Sequence, residues 1–558
     1  MSSDTVLMKS AFIDPIKSVV VIDDEFPTYS NMLRGKYNKS KEPASYTLAR
    51  KLYDQFTKEG KLCVVANPSF IKRKPPHRIP KSIGTTDLLV LDYQLDQSAP
   101  GDCSAAHDIL RGFAKIQTFN LVVVYTNANE SNIVAKEIFL ALRKQPTSPI
   151  NEHVIDLIAK IEETNPRFIG DLNEKITTNQ ITSYINSMEL DNVLHRPLID
   201  YVLELTLEVI DKKYAKPCVA YCLFKRAGLE DCAGSLEDLK LSVTPVPYVA
   251  GPTIFVCVLS KKDVVPSEVL PSLTKALCSW QVNPVDLSLH CLLAESRNEV
   301  AARVAAVVAD RDLVDGWLYQ AKQGPNAVED LLRATGEGLM KTLRAKLHEK
   351  RYDSLVARTT SAENKIPNDR RHSVFFALNS FLCTYPEIQA HHLTTGLILK
   401  DVAEPDSYWV VLMNSCDLEP GQESLKWKAQ STDSWQPFTA LKLVSGLSTK
   451  SSLIKATECR FVFIKDGEAP IALAFSSGDI ANPHYEIFFA KNHGKFNRSK
   501  CVRVKRFVAK RDTKPGLKSQ TFEIIAQMRY EYASRFLNML SAHKARIGVG
   551  YIAMPVGE

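Results

Sequence analysis

Three short apolar runs in the first quarter of the chain each end at polar side chains. The runs and the residues that follow them are SVVVI at 18–22 before Asp23 and Asp24, LLVL at 88–91 before Asp92, and LVVV at 121–124 shortly before Thr126. A short apolar run bounded by polar residues is typical of a strand that is buried on both faces. The pattern therefore predicts three buried strands whose carboxyl ends carry acids or a hydroxyl.

Segments with helical spacing separate these runs. CSAAHDILRGFAKI at 103–116 has apolar residues at helical intervals, and SYTLARKLYDQFTKEG at 45–60 is typical of an amphipathic helix. The short apolar run LCVVAN at 62–67 predicts a further strand. Strands that alternate with helices favour a parallel, doubly wound sheet with right-handed crossovers, which is an α/β fold.

The polar residues at the strand ends are expected to share one crevice. Open α/β sheets place their binding crevices at the carboxyl ends of the strands, which is where Asp23, Asp24, Asp92 and Thr126 lie. Several carboxylates close together are unfavourable unless a cation or a proton neutralises them. Two acids can hold Mg²⁺, and a neutralised aspartate can act as a nucleophile toward a phosphoryl group. A hydroxyl and a lysine would then bind the transferred group.

The same residues resemble the receiver domain of two-component response regulators. VVVIDDE resembles the first strand with its acidic pair, LLVLDYQLD the strand of the phospho-acceptor, and VVVYTNA the fourth strand with its switch hydroxyl. The resemblance implies a flavodoxin-like fold, a Mg²⁺ cofactor and a histidine kinase as the phosphoryl donor. It makes Asp92 the phospho-acceptor, Asp23 and Asp24 its partners in the Mg²⁺ pocket, the backbone carbonyl of Gln94 a further metal ligand, and Thr126 the switch hydroxyl.

The lysine that receivers carry at the end of a fifth strand is absent from its usual place after Thr126. Helical segments follow instead and predict an insertion at about 130–215. Two later apolar runs, both expected to be strands, end at lysine: CVAYCLF before Lys225 and TIFVCVL shortly before Lys261. We favour Lys261, because PSEVLPSLTKALCSW follows it like the closing helix of a receiver, and Lys225 is the alternative. Neither run has an aromatic residue three positions before its lysine, where many receivers keep a switch ring.

In the remainder of the chain, the pattern of apolar and polar residues changes at two places. We predict a receiver domain with its insertion at 1–283, a helical region at 284–365, and a β-rich domain or partial barrel at 366–558. The strands predicted for the last domain are GLILKDV, YWVVLMNSCDL, RFVFIKD, APIALAFSS and HYEIFFAK. The segment FEIIAQMRYEYASRFLNMLSAHKARIG is predicted to be its closing helix.

Two features of the β-rich domain could carry chemistry. Cys416 beside Asp417 could be a nucleophile, but a cysteine nucleophile needs a histidine base, and no histidine has a recognisable spacing, so a structural position is favoured. The basic segment 491–518, with Phe496 and Phe507 interleaved, could follow a nucleic-acid backbone. The alternation in CVRVKRFV equally fits one face of a strand pair, and no helix-turn-helix is visible, so we expect no nucleic-acid partner.

Composition sets the outer limits of these predictions. The 558 residues are 45% hydrophobic and 24% charged with a net charge of +7, which is typical of a globular protein of several domains. The 12 cysteines are scattered without metal-ligand spacing. We find no apolar run long enough to span a bilayer and no signal sequence, so the expected location is the cytoplasm, without a membrane partner.

The function that follows is a phosphoacceptor response regulator, and not an enzyme. More loosely, the architecture resembles the receiver-only component of Detocs-type anti-phage defence systems, in which such a protein acts as a phosphate buffer beside a second, effector-bearing receiver protein. The alternatives are a DNA-binding transcriptional regulator and an enzyme controlled by its receiver. A homodimer is left open by the sequence.

Overall fold

The computed structural model divides the chain into two compact units, Met1–Ala362 and Glu363–Glu558. The described residues are 3–26, 44–66, 84–95, 101–116, 118–127, 130–146, 152–191, 193–206, 212–309, 311–322, 336–345, 353–357, 368–419, 435–476, 483–496, 499–508 and 516–545. The predicted boundaries at 283 and 365 remain predictions.

A seven-stranded sheet forms the centre of the first unit. Its strands are β1 (Ser18–Ile22), β2 (Leu62–Ala66), β3 (Leu88–Leu91), β4 (Asn120–Thr126), β5 (Lys240–Ser242), β6 (Tyr248–Ala250) and β7 (Ile254–Ser260). Their order is β2-β1-β3-β4-β7-β6-β5, in which the first five strands are parallel and β6 and β5 are antiparallel additions. The prediction of a parallel α/β sheet is confirmed.

Twelve of the described helices of the first unit lie between Ser3 and Ala321 and surround or follow this sheet. They are α1 (Ser3–Met8), α2 (Ala44–Lys58), α3 (Ser104–Ala114), α4 (Ser131–Leu142), α5 (Glu152–Thr164), α6 (Phe168–Lys175), α7 (Thr178–Ser187), α8 (Arg196–Thr206), α9 (Ala215–Ala227), α10 (Val269–Ser279), α11 (Pro284–Ala309) and α12 (Arg311–Ala321). A π-helix at Lys9–Ile13 continues α1. Among the described residues, no helix combines the length and the apolarity that a membrane span requires.

Helices cover both faces of the sheet, as a doubly wound fold requires. Alternate strand residues pack against α3 and α4 on one side, where Leu89 and Val122 share a core with Ile109. On the other side, Val90 and Val123 share a core with apolar residues of α1, α2 and α10. Because both faces are covered, β3 and β4 are buried along their whole length, which explains their uninterrupted apolar sequence.

A long insertion separates α4 from β7. It contains α5 to α9 and the strands β5 and β6, and its helices extend the core on the α3 and α4 side of the sheet. The strand that was predicted for CVAYCLF is wrong, because these residues lie within α9. An apolar run of this length does not distinguish a buried helix from a strand. Gly228, with a φ of 71°, ends α9 in the left-handed conformation that commonly terminates helices.

The second unit is built on a closed six-stranded antiparallel barrel. Its strands are β8 (Leu397–Asp401), β9 (Tyr408–Val411), β10 (Gln436–Leu443), β11 (Phe461–Asp466), β12 (Ala469–Ala474), β13 (Tyr485–Ala490), β14 (Cys501–Val508) and β15 (Gly516–Gln527). All but β11 and β12 form the barrel, and these two form a separate hairpin. The partial barrel of the sequence prediction is therefore closed, with Trp409, Phe438, Phe488 and Phe522 in its interior.

Three described helices belong to this unit: α13 (Arg371–Cys383), α14 (Thr449–Ile454) and α15 (Tyr530–Lys544). The predicted closing helix is partly wrong, because its first residues, FEIIAQ, belong to β15 and the helix begins at Tyr530. Phe522 and Ile524 alternate into the barrel interior, and β15 pairs with both β8 and β14. This pairing with two neighbouring strands outweighs the local helical pattern.

Candidate functional site

The carboxyl ends of β1 and β3 bring two aspartates together. The strands pair in parallel with Ile22 opposite Leu91, so Asp23 and Asp92 follow at equivalent positions. The backbone N–H of Asp92 donates to the carbonyl of Ile22 at 2.9 Å, which continues the pairing into the site. Asp23 and Asp92 retain only 2% and 6% of their solvent exposure. Two carboxylates that are buried side by side at the ends of neighbouring strands require a compensating positive charge.

Lys261 supplies that charge from the end of β7. Its Nζ lies 2.6 Å from Asp92 Oδ2 and 2.8 Å from Asp23 Oδ2. Its side chain is 3% exposed, and its backbone N–H donates to the carbonyl of Thr126 at 2.8 Å. The alternative, Lys225, lies at the end of α9 and pairs with Glu230 at 2.6 Å, with 44% of its side chain exposed. The structure thus brings Lys261 to the aspartates and places Lys225 in a surface ion pair.

The acidic residues offer a set of ligands that suits Mg²⁺. Oxygen atoms of Asp23, Asp24 and Asp92 all lie within 4.8 Å of one another. Hard divalent cations prefer carboxylate oxygen and retained water, and Asp24 is only half-buried, which leaves room for solvent. Three carboxylates beside one ammonium also leave a negative surplus for a cation to neutralise. The backbone N–H of Gln94 lies 3.4 Å from Asp92 Oδ1. The assignment of the Gln94 carbonyl as a metal ligand remains a prediction.

The pKa values of the site residues reflect both their burial and this surplus of negative charge. Burial raises the pKa of Asp23 from 3.8 to about 6, with the Lys261 ammonium opposing the rise and the Asp92 carboxylate adding to it. Burial, and then Asp92, also raise the pKa of Asp24. Burial alone would lower the pKa of Lys261, but its two carboxylate partners raise it above its ordinary value. Lys261 is therefore charged, while Asp23 and Asp24 favour a proton or a metal ion.

Two hydroxyls lie at the same edge of the sheet. Thr126, which is fully buried, ends β4, and it pairs in parallel with Ser260 at the end of β7. β4 is the neighbour of β3, the strand that Asp92 follows. The Ser260 hydroxyl accepts the backbone N–H of Lys262 at 3.2 Å. Ser260 was not among the predicted site residues, although its position directly before Lys261 could have indicated it.

The comparisons with known proteins agree with this geometry. Residues 15–174 match the family described as the response receiver domain. The first unit contains a response-regulator receiver domain. No curated protein matches the chain, and no solved structure matches it.

The match confirms the predicted receiver domain, but it stops before the fold is complete. It ends within α6, whereas β7, the fifth parallel strand of the sheet, begins at Ile254 and is followed by Lys261. The insertion displaces the last part of the receiver domain by more than the length of a typical connection. The receiver fold therefore includes β7 and α10, which lie beyond the matched residues.

A hydrogen-bonded cluster next to Asp92 was not predicted by the sequence analysis. Tyr93, which follows Asp92 directly and is 2% exposed, donates its hydroxyl to Glu137 Oε2 of α4 at 2.6 Å. The Tyr93 hydroxyl also lies 2.9 Å from Nε2 of His107 on α3. Burial, and then Glu137, raise the pKa of Tyr93, so its hydroxyl keeps its proton. The cluster ties the loop of Asp92 to two helices of the receiver domain. The signal in the sequence was a single glutamate within the apolar helix IVAKEIFLAL.

The other chemical candidates lie in the second unit. Cys416 is exposed within a short 3₁₀-helix, Ser415–Leu418, and its Sγ lies 4.0 Å from Asp417 Oδ1. His392 is 3.5 Å from Glu419. Among the contacts of the described residues, that of Cys416 is with an acid and not with a histidine base. These contacts fit the structural position favoured from the sequence.

Proposed function

We propose that Asp92 accepts a phosphoryl group from the phosphohistidine of a histidine kinase, so that the chain acts as a phosphoacceptor response regulator and not as a turnover enzyme. The observation that carries the proposal is the contact of Lys261 Nζ with both Asp92 and Asp23 at the edge of the receiver sheet. A buried ammonium held between two carboxylates is already in place to bind an incoming phosphoryl oxygen.

Each residue of the site would have a different role in phosphoryl transfer. Asp92 Oδ2 is held by Lys261, whereas Oδ1 has only a long contact of 3.4 Å with the Gln94 backbone, so Oδ1 is the freer nucleophile. As the P–O bond to Asp92 forms, the P–N bond of the phosphohistidine breaks and the imidazole leaves, taking up a proton from solvent. The Lys261 ammonium then pairs with the phosphoryl oxygens, and the Thr126 hydroxyl donates to one of them.

Asp23, Asp24 and Asp92 are the residues that would hold Mg²⁺. A bound Mg²⁺ supplies the positive charge that offsets the negative charge of the acids and of the phosphoryl group. Asp23 Oδ1 accepts the backbone N–H of Glu25 at 2.9 Å, which fixes the orientation of this carboxylate toward the site. Orientation by a second hydrogen bond is what keeps a metal ligand in place.

The test is phosphorylation of the purified full chain by a small phosphodonor, such as acetyl phosphate, with and without Mg²⁺. We expect Mg²⁺-dependent addition of one phosphoryl group, mapped to Asp92 by mass spectrometry. Asp92→Asn should abolish labelling. Lys261→Met should strongly slow it, whereas Lys225→Met, which changes the surface ion pair, should label normally. Labelling of another residue, or normal labelling of Asp92→Asn, would overturn the assignment.

We further propose, from the resemblance to Detocs-type systems, that the phosphorylated chain serves as a phosphate buffer beside an effector-bearing receiver protein. In the described part of the second unit, the barrel interior is packed with aromatic side chains, which supports a non-enzymatic second unit. In cells that hold the kinase and the effector receiver, Asp92→Ala should raise phosphorylation of the effector without infection. Unchanged effector phosphorylation in that strain would contradict the buffer.

A further inference from the structure

Strand β14 sorts its side chains onto two different surfaces of the barrel. Val502 and Val504 point into the interior core. The intervening and following residues, Arg503, Lys505 and Phe507, therefore point outward, because successive side chains of a strand alternate between its faces. Arg503 is exposed, and Phe507 keeps 61% of its exposure, which is high for a phenylalanine. Two cations and an aromatic ring thus share the outside of one strand.

The neighbouring strands extend this surface with apolar side chains. Phe507 pairs across β14 and β15 with Leu517, which is 58% exposed. On β13, which pairs with β14 on its other side, Ile487 is 48% exposed. We call the outward side chains of β13, β14 and β15 the outer barrel face. Because a single exposed apolar residue is ordinary but a group on adjacent strands is not, the outer barrel face has the character of a binding surface.

A second aromatic ring borders this surface through a cation. Lys505 Nζ lies 4.4 Å from the centre of the Trp435 ring, which immediately precedes β10. Lys505 pairs with Phe489 of β13 and with Ser519 of β15, so its ammonium emerges among small and aromatic side chains. The indole ring holds the Lys505 ammonium at the border of the outer barrel face, where it can meet an anion.

The basic residues of the second unit are concentrated, along the sequence, in the segment that contains β14. The first unit contains equal numbers of basic and acidic residues, so the whole net charge of +7 belongs to the second unit. Between positions 491 and 518, eleven residues are lysine or arginine and one is aspartate. The outward acid of β15 is Glu523, which pairs with Cys501 and marks one edge of the surface. A surplus of this size within a short segment favours a polyanionic partner.

We propose that the outer barrel face binds single-stranded nucleic acid. Arg503 and Lys505 would contact the phosphate backbone, and Phe507 and Trp435 offer rings on which unpaired bases can stack. The exposed ring of Phe507 favours a single strand over a duplex, because the faces of paired bases are covered by their neighbours. They also favour nucleic acid over a lipid surface, because the apolar side chains stand on a sheet among hydroxyls and not on the stripe of an amphipathic helix.

This inference revises the expectation of the sequence analysis. The alternation in CVRVKRFV equally fits one face of a strand pair, and the strand is present as β14. A strand does not exclude the proposed surface, because β14 separates its valines from its cations and Phe507. The proposed surface lies in the second unit and is independent of phosphoryl acceptance at Asp92. Failure of either proposal would therefore leave the other standing.

The test is fluorescence anisotropy of a labelled deoxythymidine oligonucleotide of about 12 nucleotides, titrated with the full chain at several salt concentrations. We expect binding that weakens as salt rises. The double variant Arg503→Ala, Lys505→Ala should weaken binding and lower the slope of log affinity against log salt by about 1.4, because each lost phosphate contact contributes about 0.7. Phe507→Ala should weaken binding about tenfold through lost stacking, with little change in slope.

Matched controls use exposed residues of the same unit outside the barrel strands. Lys450→Ala with Lys465→Ala removes the same charge, and Ile454→Ala removes an apolar side chain that is 76% exposed. Both should bind like the parent chain, and circular dichroism should show all variants folded. Undetectable binding by the parent, or equal losses in the controls, would overturn the proposal. So would tighter binding to duplex DNA, or to vesicles of anionic lipid, than to the oligonucleotide.

Discussion

Neutralising Asp23 tests the electrostatic account of the receiver site most directly. Asp23→Asn removes one negative charge and keeps one of the two acceptor oxygens, of which Oδ1 accepts the backbone N–H of Glu25 at 2.9 Å and Oδ2 accepts from Lys261 at 2.8 Å. The amide NH₂ that replaces the other oxygen cannot accept, so the change also removes one hydrogen bond, which costs about 1 kcal/mol at every pH. Because the remaining acids still outnumber the single ammonium, we expect the variant to be more stable than the parent chain at neutral pH.

The size of the effect follows from the pKa of Asp23. Burial raises this pKa from 3.8 to about 6, which corresponds to about 3 kcal/mol. Since the folded chain holds this proton more tightly than the unfolded chain, protonation stabilises the fold. That stabilisation is complete below pH 3.8 and is lost as the pH rises through about 6. Asp23→Asn is uncharged at every pH, so its stability relative to the parent should rise by about 3 kcal/mol between these values, and the lost hydrogen bond lowers it by a constant amount of about 1 kcal/mol.

Hydrogen exchange followed by mass spectrometry gives the stability of the receiver core separately from that of the second unit. Amides of β1 and β3 are buried, and their slowest exchange reports opening of the fold that contains them. Intrinsic exchange at these amides is nearly the same in both proteins at one pH, so the ratio of protection factors measures the difference in stability. Without Mg²⁺, we expect the protection of Asp23→Asn relative to the parent to rise about 100-fold between pH 4 and a pH above 6.

The control is Asp54→Asn, which removes the same charge from an exposed position on α2 where the side chain is 66% exposed. It should leave protection of β1 and β3 unchanged at every pH. Mg²⁺ should stabilise the parent chain and Asp54→Asn, and it should act less on Asp23→Asn. A ratio independent of pH, or less protection in Asp23→Asn at neutral pH, would mean that the pairing with Lys261 outweighs burial, and the account would be wrong.

Two further predictions concern α4 and its contacts. Tyr93→Phe removes the hydroxyl that donates to Glu137 at 2.6 Å. Because Glu137 can turn to solvent, we expect the free energy of unfolding to fall by about 1 kcal/mol, seen as roughly fivefold faster hydrogen exchange of α4 amides. Unchanged exchange would contradict a structural role of this hydrogen bond. Gly234→Ala would place a Cβ 1.9 Å from the carbonyl oxygen of Leu142, so thermal unfolding should show a loss of at least about 3 kcal/mol, whereas Gly170→Ala, with nothing within 4 Å, should not destabilise.

The sequence predicted the receiver site better than the rest of the chain. Asp23 and Asp92 each follow a strand of apolar residues and Thr126 ends one, and parallel pairing then brings the strand ends to one edge without further information. Lys261 could be proposed for the same reason, although the sequence could not exclude Lys225. The competing run, CVAYCLF, is apolar throughout, and only the Gly228 that ends α9 indicated a helix.

What the sequence could not predict depends on partners that are distant in the chain. The residues FEIIAQ have a local helical pattern, and they form a strand because β8 and β14 pair with them from both sides. The bond between Tyr93 and Glu137 joins residues that are 44 positions apart, and neither residue carries a motif. The exposure of Phe507 likewise follows from the closure of the barrel, which decides the side of β14 that faces solvent.

The late position of β7 in the chain has a consequence for the protein during its synthesis. Lys261 is made 169 residues after Asp92, which at ribosomal speed is a delay of about 10–30 s. Until β7 emerges, β4 has an open edge along a strand that is buried throughout in the finished fold, and such an edge invites pairing with other chains. The two aspartates also lack their ammonium during this interval. A nascent chain that has passed the end of the family match at residue 174 therefore contains Asp23 and Asp92 but cannot yet assemble the site. Under the proposed function, competence for phosphorylation would distinguish chains that extend past Lys261 from chains that terminate before it.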